Sequence, residues 1–242
     1  MKKFALIGNP ISHSQSPKLF KEAFPNDDMS YDLIERQSVE ESIAELKEKG
    51  YSGANVTSPF KESAMRFVTD PDKTAKTLGA TNLIIFKGNK VYSYNTDYLA
   101  ARRMIKEIGN TSAAIVIGCG GAAKAAALAC KDEGFETFIT NRTQKKAEDF
   151  AKHIGIKAIS IAEANTLLKD PAQNILAIYA IPSPDGILSL TLKAATGSGK
   201  ITIIEANYKN PCLNPESGLK WLKYQAEESF RIFACAGYEN LS

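Results

Sequence analysis

The chain is poor in the residues on which metal sites and disulfide frameworks depend. It holds two histidines in 242 residues. These are His13 and His153, neither in an H-E-x-x-H pattern, so the expectation is no dedicated metal site and no histidine-based triad. Its four cysteines, Cys119, Cys130, Cys212 and Cys235, are widely spaced with no C-x-x-C pair. Reduced thiols in a cytoplasmic protein are the simpler reading. An excess of one charge is missing too. Thirty Lys+Arg against 27 Asp+Glu leave +3, too little to announce nucleic acid or an anionic membrane. No apolar run reaches membrane-spanning length, and residues 4–7, stopped by Gly8-Asn9-Pro10, are too few for a signal-peptide core.

What remains is ordinary globular material, 44% apolar and 24% charged, enough for one large domain or two small ones. In the first half, residues 4–7, 31–34 and 53–56 read as short strands. Helices are expected over 17–24, over 38–49 and from about Phe60, and the segments 81–86 and 90–94 form a hairpin around Lys87-Gly88-Asn89. The second half alternates more regularly. A helix ending at Gly109 precedes strands at 113–117, 137–140, 157–159, 175–181 and 201–206, with helical or loop segments between them and a last helix over 219–233. Unbroken apolar strands alternating with helices argue for an α/β protein with a parallel sheet covered on both faces. Two domains meet near Asp97.

The most specific local signal is Gly118-Cys119-Gly120-Gly121-Ala122-Ala123, directly after a strand and opening a helix. The first glycine permits a tight turn, and the second removes a side chain so that backbone can approach a pyrophosphate. Ala123, a small residue in third place, lets helix and sheet pack closely. The helix start then offers free N–H groups and partial positive charge to phosphates. At the end of the next strand, where an NAD site places an acid for the ribose, stands Asn141-Arg142-Thr143. A guanidinium there suits a 2′-phosphate, so NADP is favoured over NAD.

First-half loops collect hydroxyls, amides, one lysine and one aspartate: Ser14 and Ser16, Asn55-Val-Thr57-Ser-Pro-Phe-Lys61, Asn82, and Asn95-Thr96-Asp97. Such groups suit a small polyhydroxylated acid, and an ammonium can act on the proton of a reacting hydroxyl.

Taken together, Ser14-x-Ser16, the 55–61 stretch, Gly79-Ala-Thr-Asn82, Asn95-Thr-Asp97, the glycine loop, Asn141-Arg-Thr143, Tyr208, and Gly218 seven residues before Gln225 resemble the shikimate dehydrogenases. Order and separations match over nearly the whole chain. The resemblance implies an N-terminal α/β substrate domain, residues 1–98 completed by the helix 219–242, plus an NADP-binding Rossmann domain over 99–218, with the active site in the cleft between them. It makes Lys61 and Asp97 the catalytic pair and gives the substrate carboxylate to Ser14 and Ser16. Thr57, Asn82, Tyr208 and Gln225 contact the ring hydroxyls or line the pocket. Gly118, Cys119, Gly120, Gly121, Ala122, Asn141, Arg142, Thr143 and Gly218 hold the cofactor. The implied reaction is the NADPH-dependent reversible reduction of 3-dehydroshikimate to shikimate, in chorismate and aromatic amino acid biosynthesis, by a monomer or homodimer. The alternatives are a quinate/shikimate dehydrogenase and a non-catalytic ligand-binding paralogue. Several positions depart from the family pattern: Leu83, Ala100, Tyr179-Ala180-Ile181, a short stretch between Tyr208 and Gly218, and Lys220-Trp221.

Overall fold

Residues 2–25, 28–108, 111, 113–170, 174–181, 186–195 and 199–237 are described by the computed structural model. They divide into two units, Met1–Thr96 with Gln225–Ser242, and Asp97–Tyr224. The expected border lies after residue 98, with 219–242 in the first unit. The structural border falls at Thr96 and inside the last helix. Gly109 and residues 238–242 lie outside the described residues.

In the first unit β1 (Lys2–Gly8) is followed by α1 (Ser16–Ala23), β2 (Met29–Glu35), α2 (Val39–Glu48), β3 (Gly53–Val56), β4 (Asp70–Pro71), α3 (Lys73–Leu78), β5 (Leu83–Lys87) and β6 (Lys90–Tyr94). The strands form one sheet in the order β2-β1-β3-β5-β6-β4. β1 pairs parallel with β2 and β3, while β5 runs antiparallel to both β3 and β6. This sheet is therefore mixed, because the hairpin at Gly88 (φ +57°) turns the chain back on itself. Alternate side chains of β1 feed two cores. Ala5 and Ile7 join Ile34, Ile43, Leu46, Val56 and Ile84. Phe4 joins Phe20, Leu83, Phe230 and Phe233, stacking on Phe233 at 4.3 Å between ring centres.

Two expectations change here. The helix foreseen from Phe60 is a turn followed by a 3₁₀ stretch, Ser63–Phe67. Val68 already takes extended backbone there (ψ 131°), and the chain enters β4 before an α-helix can propagate. The short helix α3 was not foreseen. The Asp72 side chain starts it by accepting from the Ala75 N–H at 2.7 Å, and Gly79 (φ +60°) ends it.

The second unit contains α4 (Thr96–Lys106, entered from the first unit's last residue), β7 (Ala113–Ile117), α5 (Gly121–Asp132), β8 (Glu136–Thr140), α6 (Gln144–Ile154), β9 (Lys157–Ala158), α7 (Ile161–Leu168), β10 (Ile175–Tyr179), α8 (Gly186–Ala195), β11 (Ile201–Glu205) and the start of α9 (Pro215–Gly237). Its five strands are all parallel, in the order β11-β10-β7-β8-β9. β7 and β10 are buried along their whole length, as a doubly covered parallel sheet requires. The chain leaves β7 toward β8 on one side and returns through β10 on the other. In such sheets ligands bind outside the carboxyl ends of the strands where the order reverses. Among the described residues no helix is long and apolar enough to cross a membrane.

Candidate active site

At the carboxyl end of β7 the chain turns through Gly118, whose φ is +115°. A Cβ there would stand 3.0 Å from the Ala180 carbonyl oxygen, just beyond β10. Glycine is demanded twice, by the backbone and by the close approach. The Gly118 N–H donates to the Thr140 carbonyl at 2.8 Å, which ties the loop to the end of β8, where Asn141, Arg142 and Thr143 follow. Gly120 is the N-cap of α5 and brings no side chain to cap its first N–H groups. A Cβ on Gly120 would enter open space among the described residues. An uncapped helix start with a bare cradle in front of it fits a pyrophosphate, so these residues suit the dinucleotide that the sequence implied. Arg142 is exposed. Cys119 is buried, with its thiol on the Lys146 carbonyl at 3.4 Å, and Ala123 packs α5 on the sheet.

In the first unit the polar residues join into one chain of hydrogen bonds, half-buried at Ser14 and Tyr31 and buried from Asn55 onward. The Ser14 hydroxyl donates to Ser16 Oγ at 3.2 Å. Burial holds the Tyr31 phenol well above its ordinary pKa, an effect eased by its hydrogen bond with Ser16. Tyr31 donates to Asn55 Oδ1 at 2.8 Å, and the Asn55 amide donates to Ser229 Oγ at 2.9 Å. Ser229 lies 3.0 Å from Thr96 Oγ1. Thr96 accepts from the Asn82 amide at 2.9 Å and returns its own N–H to Asn82 Oδ1 at 2.7 Å. Asn95 donates to the Ala80 carbonyl at 2.9 Å. The segments 79–82 and 95–96, far apart in sequence, are thus interlocked. Lys61 joins them through its backbone, its carbonyl accepting from the Thr81 N–H at 2.9 Å. Thr57 sits against Gly8, where a Cβ would be 2.4 Å from the threonine methyl. The Gln225 carbonyl accepts from Ser229 at 2.8 Å.

Tyr31, Asn55, Thr96 and Ser229 were not among the expected site residues. Asn55 and Thr96 lay inside quoted motifs. Tyr31 read as part of an apolar strand, and Ser229 carried no signal of its own.

In the second unit Asp97 opens α4 and is buried, with the Trp221 indole N–H donating to its Oδ1 at 3.1 Å. Just past the end of α4, the Glu107 carboxylate takes the Lys220 ammonium and, at 2.8 Å, the Tyr224 hydroxyl, both from α9. These two bonds hold the Glu107 carboxyl below the usual range. The Arg103 guanidinium lies 3.7 Å over the Tyr224 ring. Tyr208 follows β11 in a loop folded around Glu205, whose buried carboxylate accepts the N–H groups of Cys212, Leu213 and Asn214 at 2.8–3.1 Å. Gly218 presses on this loop. A Cβ there would meet the Asn207 carbonyl oxygen at 2.5 Å and Tyr208 Cα at 3.0 Å.

The profile of the shikimate dehydrogenase substrate-binding domain matches residues 6–84, and that of shikimate/quinate 5-dehydrogenase matches 100–193. Shikimate dehydrogenase (NADP(+)) of Methanococcoides burtonii is 32% identical over 96% of this chain and 93% of its own length. The chain belongs to the shikimate dehydrogenase family. The enzyme of the same name from Syntrophobacter fumaroxidans is 34% identical over 66% of this chain, a match spanning 57% of that protein. The crystal structure of shikimate dehydrogenase from Thermotoga maritima superposes with a TM-score of 0.79 at 25% identity, covering 98% of this chain and 95% of that one.

Several of the positions that depart from the shikimate dehydrogenase pattern are buried or engaged in contacts. Tyr179 is wholly buried in the apolar core under β10, and Leu83 in the aromatic core. Ala100 is buried in α4. Lys220 and Trp221 are spent on contacts with α4. The short stretch after Tyr208 is gathered by Glu205.

Proposed function

We propose that this chain catalyses the NADP-dependent, reversible reduction of 3-dehydroshikimate to shikimate, a step of chorismate and aromatic amino acid biosynthesis. The observation that carries this reading is the near full-length match to a relative named shikimate dehydrogenase (NADP(+)). The glycine cradle at Gly118 and Gly120 and the polar chain from Ser14 to Asn82 support it.

In this reading the Ser14 and Ser16 hydroxyls bind the substrate carboxylate, and Thr57, Asn82, Tyr208 and Gln225 bind the ring hydroxyls or shape the pocket. Backbone N–H groups of Gly118–Ala122 hold the cofactor phosphates, with Asn141, Arg142 and Thr143 on the 2′-phosphate side and Gly218 near the nicotinamide. The cofactor, when bound, supplies the hydride. The Lys61 ammonium stabilises the charge developing on the ring oxygen and delivers its proton, and Asp97 serves as its carboxylate partner. The protein works in the cytoplasm as a monomer or homodimer. A quinate/shikimate dehydrogenase is the second reading, favoured by the description of the profile that matches the second unit. Quinate has one more hydroxyl near its carboxylate, so the Ser14–Ser16 pocket decides between them.

The test is absorbance in the reduced-nicotinamide band, with shikimate or quinate and NADP+ or NAD+. Growth with shikimate and NADP+ above the other pairs is expected. Silence in every pair, with ligands still binding, would replace this reading with a non-catalytic binder.

A further inference from the structure

Trp221 is the chain's one tryptophan, and it is nearly wholly buried, at 4% exposure. A buried indole seeks a partner for its N–H, and most apolar surroundings offer none. Here the partner is the equally buried carboxylate of Asp97, at 3.1 Å. The contact spans 124 residues of sequence, so local chain geometry does not explain it. An apolar side chain at 221 would fill the same volume and donate nothing.

The surroundings keep this pair in place. Lys220 and Tyr224, one residue before Trp221 and three after it, both reach Glu107, at the far end of α4 from Asp97. Arg103 covers the Tyr224 ring from the same helix. The first half of α9 is therefore fastened to α4 at two levels. At the upper level the indole commits Asp97 Oδ1 and so sets how the carboxylate is turned.

We propose that Trp221 is a positioning residue for the catalytic carboxylate Asp97. The proposal rests on the functional reading above and deepens it. Positions that look like departures in the family pattern become a latch that orients one reacting group. An indole N–H fixes direction as well as distance, because it has a single donor on a rigid ring. Losing it removes one of the contacts that set the direction of the carboxylate, and turnover falls while the binding of either ligand is retained.

The experiment uses the full chain with shikimate and NADP+. Trp221→Phe keeps an aromatic ring and removes the N–H. A tenfold fall in kcat is expected, with both KM values within twofold of wild type and an unchanged circular dichroism spectrum. A folded Trp221→Phe protein with kcat within twofold of wild type would overturn the proposal and leave the functional reading intact. A wild type that turns over neither shikimate nor quinate overturns both. A second measurement needs no turnover. Because Trp221 is the sole indole, the protein's tryptophan emission reports on the surroundings of this one ring, of which Asp97 is a part. Asp97→Ala is expected to shift or rescale that emission in the ligand-free protein, and an unaltered spectrum would show that the carboxylate does not hold the indole.

Discussion

Between Ser14 and Asn95 the first unit buries hydroxyls and amides that satisfy one another. In the second unit β7 and β10 bury apolar side chains and one tyrosine, and the groups proposed for the cofactor are mostly main-chain N–H at the start of α5. The first unit presents chemistry through side chains braced by side chains, whereas the glycine loop of the second works through the path of its backbone. The first arrangement is specified residue by residue, since removing one partner strands the next. The second depends on φ angles and on the absence of a Cβ, so its other positions are free to change. Cys119 stands in the glycine loop and Tyr179 at the end of β10 without disturbing the strands around them.

The contrast is broken most severely at Lys61. Lys61→Ala is expected to cut kcat by about 10³-fold, in the range for a lost general acid, with NADP+ affinity within twofold by fluorescence titration. Equal losses of turnover and cofactor binding would mean that the two kinds of site are not separable. Asn55→Ala comes next. It removes the acceptor of the Tyr31 hydroxyl and one of three partners of Ser229, and should cost about 2 kcal/mol by denaturant titration while NADP+ binding survives. Gly120→Ala probes the other side. Its Cβ meets no atom of the described residues within 4 Å, so the melting temperature should hold while NADP+ affinity drops about tenfold, the equivalent of about 1.4 kcal/mol. A drop in melting temperature with affinity intact would refute the cradle.

The smallest effect concerns alkaline pH. Burial, helped by the Asp32 carboxylate, pushes the Tyr51 phenol up to about 12, and burial with Asp132 does the same for Tyr98. Tyr31 is raised by burial as well. A folded-state pKa above the unfolded value of about 10 gives stability that is fully present below pH 10 and lost as pH rises through the folded value. The melting temperature should therefore be level from pH 7 to 9 and decline above 10, with the decline blunted in Tyr31→Phe. A flat profile to pH 12 would contradict the assigned burial of these phenols.

Much of this was legible in the sequence, because the rules involved are local. The strand 113–117 coincides with β7, and Gly118 announces its turn by type and place. Ser38 before Val39 marks the start of α2, where its hydroxyl accepts the Glu41 N–H. What stayed hidden is long-range. Tyr31 reads as a strand aromatic until β3 brings Asn55 to its hydroxyl, and Asn55 in turn needs Ser229, 174 residues away. Trp221 reads as an oddity until α4 places Asp97 against it. Helix α3 and the 3₁₀ stretch are too short for periodicity to speak, with two buried residues in the one and one in the other. The proposed site roles themselves came from motifs in register, whose meaning single residues do not carry.

Glu205 has a consequence for how such a chain can drift over evolutionary time. Its carboxylate grips three successive amides at 212–214, and Gly218 pins the backbone at Asn207 and Tyr208. Residues 209–211 therefore run between two clamped ends. Doubling the length of a loop whose ends are already held costs only about 0.6 kcal/mol in closure entropy. Insertions and deletions can accumulate there while Tyr208 stays where it is.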